Sequence, residues 1–525
     1  MLRLRMPSPA APEDWRRTAV GKKRPGIWRS VPFVAYFLLF AAWALAMPYN
    51  GSPDEAAHIW RAYGAASGDV APALAEKGAV QDVPRSLPPD ACFAGRAYVP
   101  ANCGGREPGG DETLTAVDTP AGRYNPLFYL AVGWPLVISP DMAGVIVARL
   151  VNAALVAGLF GWATLVAVSL RRRGATAGLI VALTPMTAHL AGAVNPNAIE
   201  IAAGVGLVTA LIAILFEPDT AGSVRSAWWL AGTSGAVMLN VRAAGPIWFA
   251  IIVAIMLVPL GRRRYVALAR SNRTWWLVDT WAVTGLAGGA WTLWKRSYEI
   301  VPSPPTRTLS MEDALKIEVV RRFPKFADQM IGVMGWLDTP LPIAVYLAWW
   351  LTTGTLAMLA LAVGRPADRW RVLGLAGLGL AVPVLIEVVN VNQYGFISQG
   401  RYFLPMLVGV PILAGYLLGE RVPFDLTPRL TKLFVVILLP AQVSSLCYTM
   451  IRYQRGMFVS RPPSLNPVGG AWQPAIGSVL PIAIAVGAAV LFILFYYRIG
   501  ARSAVDVPAD DDRHSPASVE PDLSA

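Results

Sequence analysis

Two adjacent carboxylates, Asp54 and Glu55, precede His58 in the stretch Tyr49-Asn-Gly-Ser-Pro-Asp-Glu-Ala-Ala-His58-Ile-Trp-Arg61. With a helix starting after Pro53, Glu55 and His58 share a face at i,i+3, and Asp54 and His58 are neighbours at i,i+4. Three readings follow. Asp54, Glu55 and His58 can together hold a divalent cation. One carboxylate can serve as a general base toward a hydroxyl group. The acids can also do no more than favour a helix N-terminus, where negative charge meets the helix dipole.

What must position these residues is a set of membrane-crossing helices. The hydrophobic fraction is 55% and the charged fraction only 15%, with a mean hydropathy of +0.48, too little charge to cover a soluble domain of this length. Stretches such as Val31–Met47, Val145–Leu170, Gly178–Val194, Ala198–Phe216 and Ile476–Tyr497 are apolar on every face and approach or exceed the roughly 20 residues that cross a bilayer core. The alternating strands of an outer-membrane barrel are missing. A cleavable leader does not fit either, because a full-length span runs on into Tyr49 and Asn50.

The net charge of +12 raises the question of nucleic acid, but its placement answers it. Basic residues gather in the N-terminal tail and in Arg171–Arg173, Arg262–Arg264, Arg365–Arg371 and Arg429–Lys432, the last four in short connections between apolar runs. That is the distribution of cytoplasmic loops. The chemistry then falls on the outer side.

These markers predict an all-α bundle of about 12 spans with both ends inside, organised as a basic cytoplasmic tail (1–28), a membrane domain (29–498) and a disordered acidic tail (499–525). The spans run at about 29–47, 142–170, 176–193, 198–216, 226–241, 243–261, 275–296, 340–363, 370–390, 401–419, 432–450 and 476–497. A first external loop covers 48–124 and a second 297–338, and Pro126–Ile138 reads as a re-entrant or interfacial helix. No Gly-rich nucleotide loop of the P-loop type is found.

Within this layout Cys92 and Cys103 lie in the first external loop, where a disulfide would contribute about 3 kcal/mol. Arg123, Arg242 and Arg401 sit at the outer side, where cytoplasmic-loop statistics do not account for them. Glu387 is an intramembrane carboxylate for which Arg401 is the favoured partner; Arg149 and Asn152 read as a structural polar pair, and Asp279 as a partner of Arg273 or another inner basic residue. Trp228-Trp229 and Trp275-Trp276 read as interfacial anchors, whereas Trp134, Trp336 and Trp472 could stack on a sugar ring. Ser310–Phe323 reads as an amphipathic helix capped by Ser310, with Met311, Leu315, Val319 and Phe323 on one side.

A first span followed by an external Asp-Glu-x-x-His resembles the opening of the GT-C superfamily of membrane glycosyltransferases. More closely, Ser-Pro-Asp-Glu-Ala-Ala-His58, Tyr124-Asn-Pro-Leu-Phe-Tyr129, Asn195-Pro-Asn197 and Gln399-Gly-Arg-Tyr-Phe-Leu-Pro405 together resemble the polytopic bacterial family known as domain of unknown function 2142, over most of residues 30–500. That family brings no settled activity. The GT-C likeness implies a polyprenyl-phosphate-linked sugar donor, an envelope glycan or lipid acceptor, and a catalytic carboxylate on the first external loop of a plasma-membrane protein. By that likeness Asp54 is the catalytic base and Glu55 its partner or a ligand of the acceptor. The candidate substrate-binding residues are His58, Arg123, Tyr124, Asn195, Asn197, Arg242, Glu387, Gln399, Arg401 and Tyr402, with Arg401 and Arg123 holding the donor phosphate. No cofactor is certain beyond the divalent metal that Asp54, Glu55 and His58 could hold. The alternative is a transporter or flippase of a lipid-linked envelope precursor, centred on Glu387.

Overall fold

A backbone in hydrocarbon must satisfy its own hydrogen bonds, which a helix does within one segment, and the long apolar runs are helical accordingly. The computed structural model describes residues 27–87, 92–103, 109–170, 172–217, 222–422, 426–457 and 465–503. The expected basic and acidic tails fall almost wholly outside these residues, as does Arg171.

Helix α1 (Ile27–Ala46) leads into α2 (Glu55–Ala66), an antiparallel ribbon of β1 (Ala79–Pro84) with β2 (Leu114–Thr119), and α3 (Pro126–Ile138). Next come α4 (Met142–Ser169), α5 (Ala175–Ala182), α6 (Pro185–Ala191), α7 (Pro196–Phe216), α8 (Gly222–Val241), α9 (Gly245–Leu257), α10 (Arg262–Ala269) and α11 (Asn272–Lys295). The segment expected to form the second loop holds α12 (Met311–Lys316), a π-helical stretch, α13 (Phe323–Gly332) and a short ribbon of β3 (Val333–Met334) with β4 (Thr339–Pro340). The chain closes with α14 (Ile343–Val363), α15 (Pro366–Tyr394), α16 (Leu404–Leu407), α17 (Gly409–Arg421), α18 (Leu426–Arg455) and α19 (Val479–Ser503).

Among the described residues, eight helical stretches are long and apolar enough to cross a membrane, with α16 and α17 counted as one. The other expected spans are shorter, interrupted or less apolar. The third is broken into α5 and α6 around Leu183-Thr184, where Pro185 cannot donate to the preceding turn. The bundle is built around α7, whose apolar window is 94% buried, against 33% for α14 and α19 at the periphery. Helix α7 packs on α4, α8 and α17, α1 packs between α4 and α19, and α8 packs on α11.

The loops add detail to the helical bundle. Small β ribbons interrupt the otherwise helical first and second loops. The amphipathic helix starts at its Ser310 cap, which accepts from Asp313 N at 3.0 Å, and it turns its apolar stripe outward. Met311, Leu315, Val319 and Val320 are exposed while Ala314 and Glu318 are fully buried. An apolar outer face is favourable for a segment lying against lipid rather than water.

Candidate functional site

The segment between α1 and α2 is anchored from every side. Tyr49 donates to Leu87 O, Tyr453 donates to Gly51 O, and Trp336 Nε1 donates to Asn50 O at 2.8 Å. Arg149 on α4 donates to Ala44 O, Met47 O and Pro48 O at 3.2, 3.0 and 2.7 Å, which fixes the end of α1. Its guanidinium also forms two bonds of 2.7 Å to Glu55, both side chains being fully buried. Glu55 accepts in addition from Val194 N at 3.1 Å. Helix α2 lies close on α3 because Gly133 leaves room there: a Cβ at Gly133 would stand 2.0 Å from Ala62 O.

Asp54 is the residue before α2 and has φ of 64°, left-handed backbone that Asp and Asn tolerate best after Gly. Its side chain makes no cap bond to the helix. Instead the carboxylate is paired with Arg401. The helix-start role is taken by Asn50, whose Oδ1 accepts from Ala56 N at 3.2 Å.

Asp54, His58, Tyr124, Asn195, Asn197, Arg242, Arg401 and Tyr402 line one cavity of about 280 Å³. Each comes from a place the fold defines. Asn195 caps α7, accepting from Asn197 N at 3.0 Å and donating to Pro53 O at 3.1 Å. Arg242 occupies the turn between α8 and α9 and donates to Glu200 on α7 at 3.1 Å. Asn197 donates to the same Glu200 oxygen at 3.2 Å. Arg401 and Tyr402 belong to a 3-10 turn (Gly400–Tyr402). The turn is held against α13 at Gly400, whose N–H donates to Gln329 at 2.7 Å and where a Cβ would stand 2.3 Å from Phe326 O. The Tyr402 ring bridges the two guanidiniums, Arg242 at 4.7 Å and Arg401 at 5.1 Å from its centroid.

The electrostatics set apart the two titratable groups from α2 and its start. Partial burial works to raise the half-exposed Asp54 carboxyl, but the Arg401 guanidinium, with His58 and Arg242 nearby, outweighs this and holds it below the usual range. Burial drives His58 down to about 3, so the imidazole is neutral at physiological pH. Its Nδ1 is 2.9 Å from the Tyr129 hydroxyl. The cavity therefore offers an ionised carboxylate, a neutral imidazole, two guanidiniums and the carboxamides of Asn195 and Asn197. Such a set can bind an anion and accept a proton beside it.

Other candidates lie elsewhere. Glu55 faces Arg149, so the cation set of Asp54, Glu55 and His58 does not form; among the described residues no group of three or more His, Cys, Asp or Glu side chains comes together. Arg149 and Asn152 do not pair with each other: Asn152 donates to backbone carbonyls, among them Ala193 O at 2.6 Å. Arg123 donates to Gly78 O, Ala75 O and Glu299, behind the lining. Glu387 is not the partner of Arg401: it meets Arg322 at 3.4 Å and accepts from Ser398 N at 3.0 Å. Gln399 precedes the 3-10 turn without lining the cavity. Trp134, Trp336 and Trp472 line none of it, and Asp279 has no ion pair with Arg273 among the described residues. Cys92 and Cys103 are joined by a disulfide, with Cα atoms 6.0 Å apart.

Three contributors were not anticipated. Glu299 lines the cavity from the segment after α11, and Tyr129 supports His58. Glu200 pairs with Arg242, and its i,i+3 spacing from Asn197 was the available signal.

An all-α, multi-pass membrane protein with a polar cavity at one end of its bundle is the class these observations define. Residues 37–410 match the family described as "Predicted membrane protein (DUF2142)", and the chain belongs to that family. No curated protein matches it. Two solved structures are similar at a distance, both of ArnT from Cupriavidus metallidurans. The apo state has 15% identity and a TM-score of 0.44 over 90% of this chain and 76% of that one. The form bound to undecaprenyl phosphate has 15% identity and a TM-score of 0.42 over 90% and 77%.

Proposed function

We propose that the protein is a glycosyltransferase that takes sugar from a polyprenyl-phosphate donor at the outer face of the plasma membrane, in envelope glycan or lipid assembly. The observation that carries this is the pairing of Asp54 with Arg401 in a cavity that also receives Arg242. A donor phosphate is matched by Arg401 and Arg242, which both line the cavity, a revision of the expected Arg401–Arg123 clamp, because Arg123 is not part of that lining. The disulfide fits an oxidising compartment and supports the outward orientation.

The reaction uses the same contacts. The acceptor hydroxyl oxygen attacks the anomeric carbon, its proton passes to the Asp54 carboxylate, and the bond from that carbon to the phosphate oxygen breaks. Polyprenyl phosphate leaves with the bonding electron pair, and Arg401 and Arg242 stabilise the charge it gains. Binding of donor draws Arg401 toward phosphate and weakens its hold on Asp54. The carboxylate thus becomes more basic only when the donor is present. Neutral His58 and the Asn195 and Asn197 carboxamides orient hydroxyls of donor or acceptor.

The test is transfer in proteoliposomes holding a panel of radiolabelled polyprenyl-phosphate sugars and envelope acceptors. Wild type moves label to acceptor, and Asp54→Asn does not. Transfer by Asp54→Asn at the wild-type rate would overturn the assignment.

A further inference from the structure

A second recess lies at the far end of α8 from the cavity. It is lined by Arg225, Trp228 and Trp229 of α8 and by Asn272, Arg273 and Trp276 of α11, with a volume of about 380 Å³. Arg225 and Arg273 form no ion pair among the described residues, although each belongs to a helix end where lipid headgroups would lie. Trp229 and Trp276 meet edge to face, with centroids 4.7 Å apart.

The same two tryptophans also wall an apolar groove of about 480 Å³. It follows α8 through Gly232, Ala236 and Val241 and is closed by residues of α3, α4, α7 and α11. From Trp229 to Val241 is 12 residues, about 18 Å of helix rise. That is slightly more than one leaflet of a hydrocarbon core about 30 Å thick. A charged niche for a headgroup thus continues into a trough of acyl-chain length.

We infer that this recess and groove bind an anionic glycerophospholipid, its phosphate between Arg225 and Arg273 and one acyl chain along α8. Charge complementarity selects the occupant: two guanidiniums with no carboxylate partner among the described residues ask for an anionic headgroup, and the interfacial tryptophans set its depth. A polyprenyl phosphate seated with its phosphate at Arg242 would leave both arginines unused. The site is independent of the proposed transfer reaction, since it shares no residue with the cavity.

The experiment is native mass spectrometry of the full chain, delipidated and then titrated with palmitoyl-oleoyl phosphatidylglycerol or with the phosphatidylcholine of the same chains. Phosphatidylglycerol should bind at one saturable site, well ahead of phosphatidylcholine. The Arg225→Gln/Arg273→Gln protein should bind it about 25-fold more weakly, from roughly fivefold per arginine near a membrane surface. Arg225→Lys/Arg273→Lys should recover most of that loss, and Thr233→Phe, which fills the groove, should weaken binding without changing charge. Melting temperatures of all variants serve as the folding control. Equal binding of the two lipids, unchanged binding in the glutamine variant, or competitive displacement by undecaprenyl phosphate would overturn the inference.

Discussion

Under the proposed transfer reaction, replacing Asp54 by Asn separates proton transfer from donor binding in a single variant. Asn occupies left-handed backbone as readily as Asp, so the φ of 64° is preserved, whereas Ala there would add about 1 kcal/mol of strain. The Asp54 side chain is 47% exposed while Arg401 is 1% exposed, so the pair is screened on one side only. Its charge term is therefore taken at the upper end for a solvent-screened ion pair, about 1 kcal/mol. A donor phosphate must displace that interaction from Arg401. Without the carboxylate charge, donor affinity should rise about fivefold while the transfer rate falls by about 10²–10⁴, the usual loss of a general base. Titration with undecaprenyl phosphate by microscale thermophoresis gives the affinity, and single-turnover transfer gives the rate. Weaker donor binding in Asp54→Asn would refute the competition between phosphate and carboxylate. An unchanged rate would refute the base.

Three further outcomes follow from the remaining geometry. Glu55→Gln leaves Arg149 buried without a counter-charge, and breaking such a pair costs about 3–5 kcal/mol; the variant should lose folded protein in a detergent melting assay, unlike Asp54→Asn. Burial, with Glu387 nearby, raises Glu318 to about 7. The folded protein thus keeps a proton that the unfolded chain releases near pH 4.3. Stability from this group is complete below about pH 4.3 and is lost as pH rises through 7, so Glu318→Gln should flatten the fall in melting temperature over that window, and an unaltered slope would exclude it. Cysteines introduced at Glu112 and Arg263, in a background without native thiols, should label with an impermeant maleimide in intact cells at the first position only.

The bundle was legible because apolarity on all faces has few outcomes in a long chain. The short helix Pro126–Ile138 occurs with those same bounds. Residues at helix starts and turns, such as Asn195, Arg242 and Arg401, could be marked because the span map placed them at one end of the bundle. Their side-chain partners could not. Helical periodicity grouped Glu55 with Asp54 and His58, but the helix begins at Glu55 itself, and the backbone turns left-handed one residue earlier. Asp54 therefore points to Arg401 while Glu55 enters the core toward Arg149, 94 positions away. The sequence proximity of Glu387 and Arg401 misled for a related reason. The intervening 3-10 turn carries Arg401 to Asp54, and Arg322 from the second loop takes its place beside Glu387. In the Ser310–Phe323 segment the periodicity was visible, and its stripe of Met311, Leu315 and Val319 is exposed, as suits a segment lying against lipid.

Arg401 and Arg242 line the cavity together and are the proposed seat of a polyprenyl phosphate. Mass spectrometry of lipids that co-purify with the full chain in gentle detergent tests it most directly, with Arg242→Gln/Arg401→Gln prepared in parallel. Wild-type protein should carry polyprenyl phosphate or its glycosylated form, and the double variant should carry little of either while retaining its bound phospholipid. Wild-type protein without polyprenyl phosphate, or a double variant that carries as much as wild type, would rule out that seat.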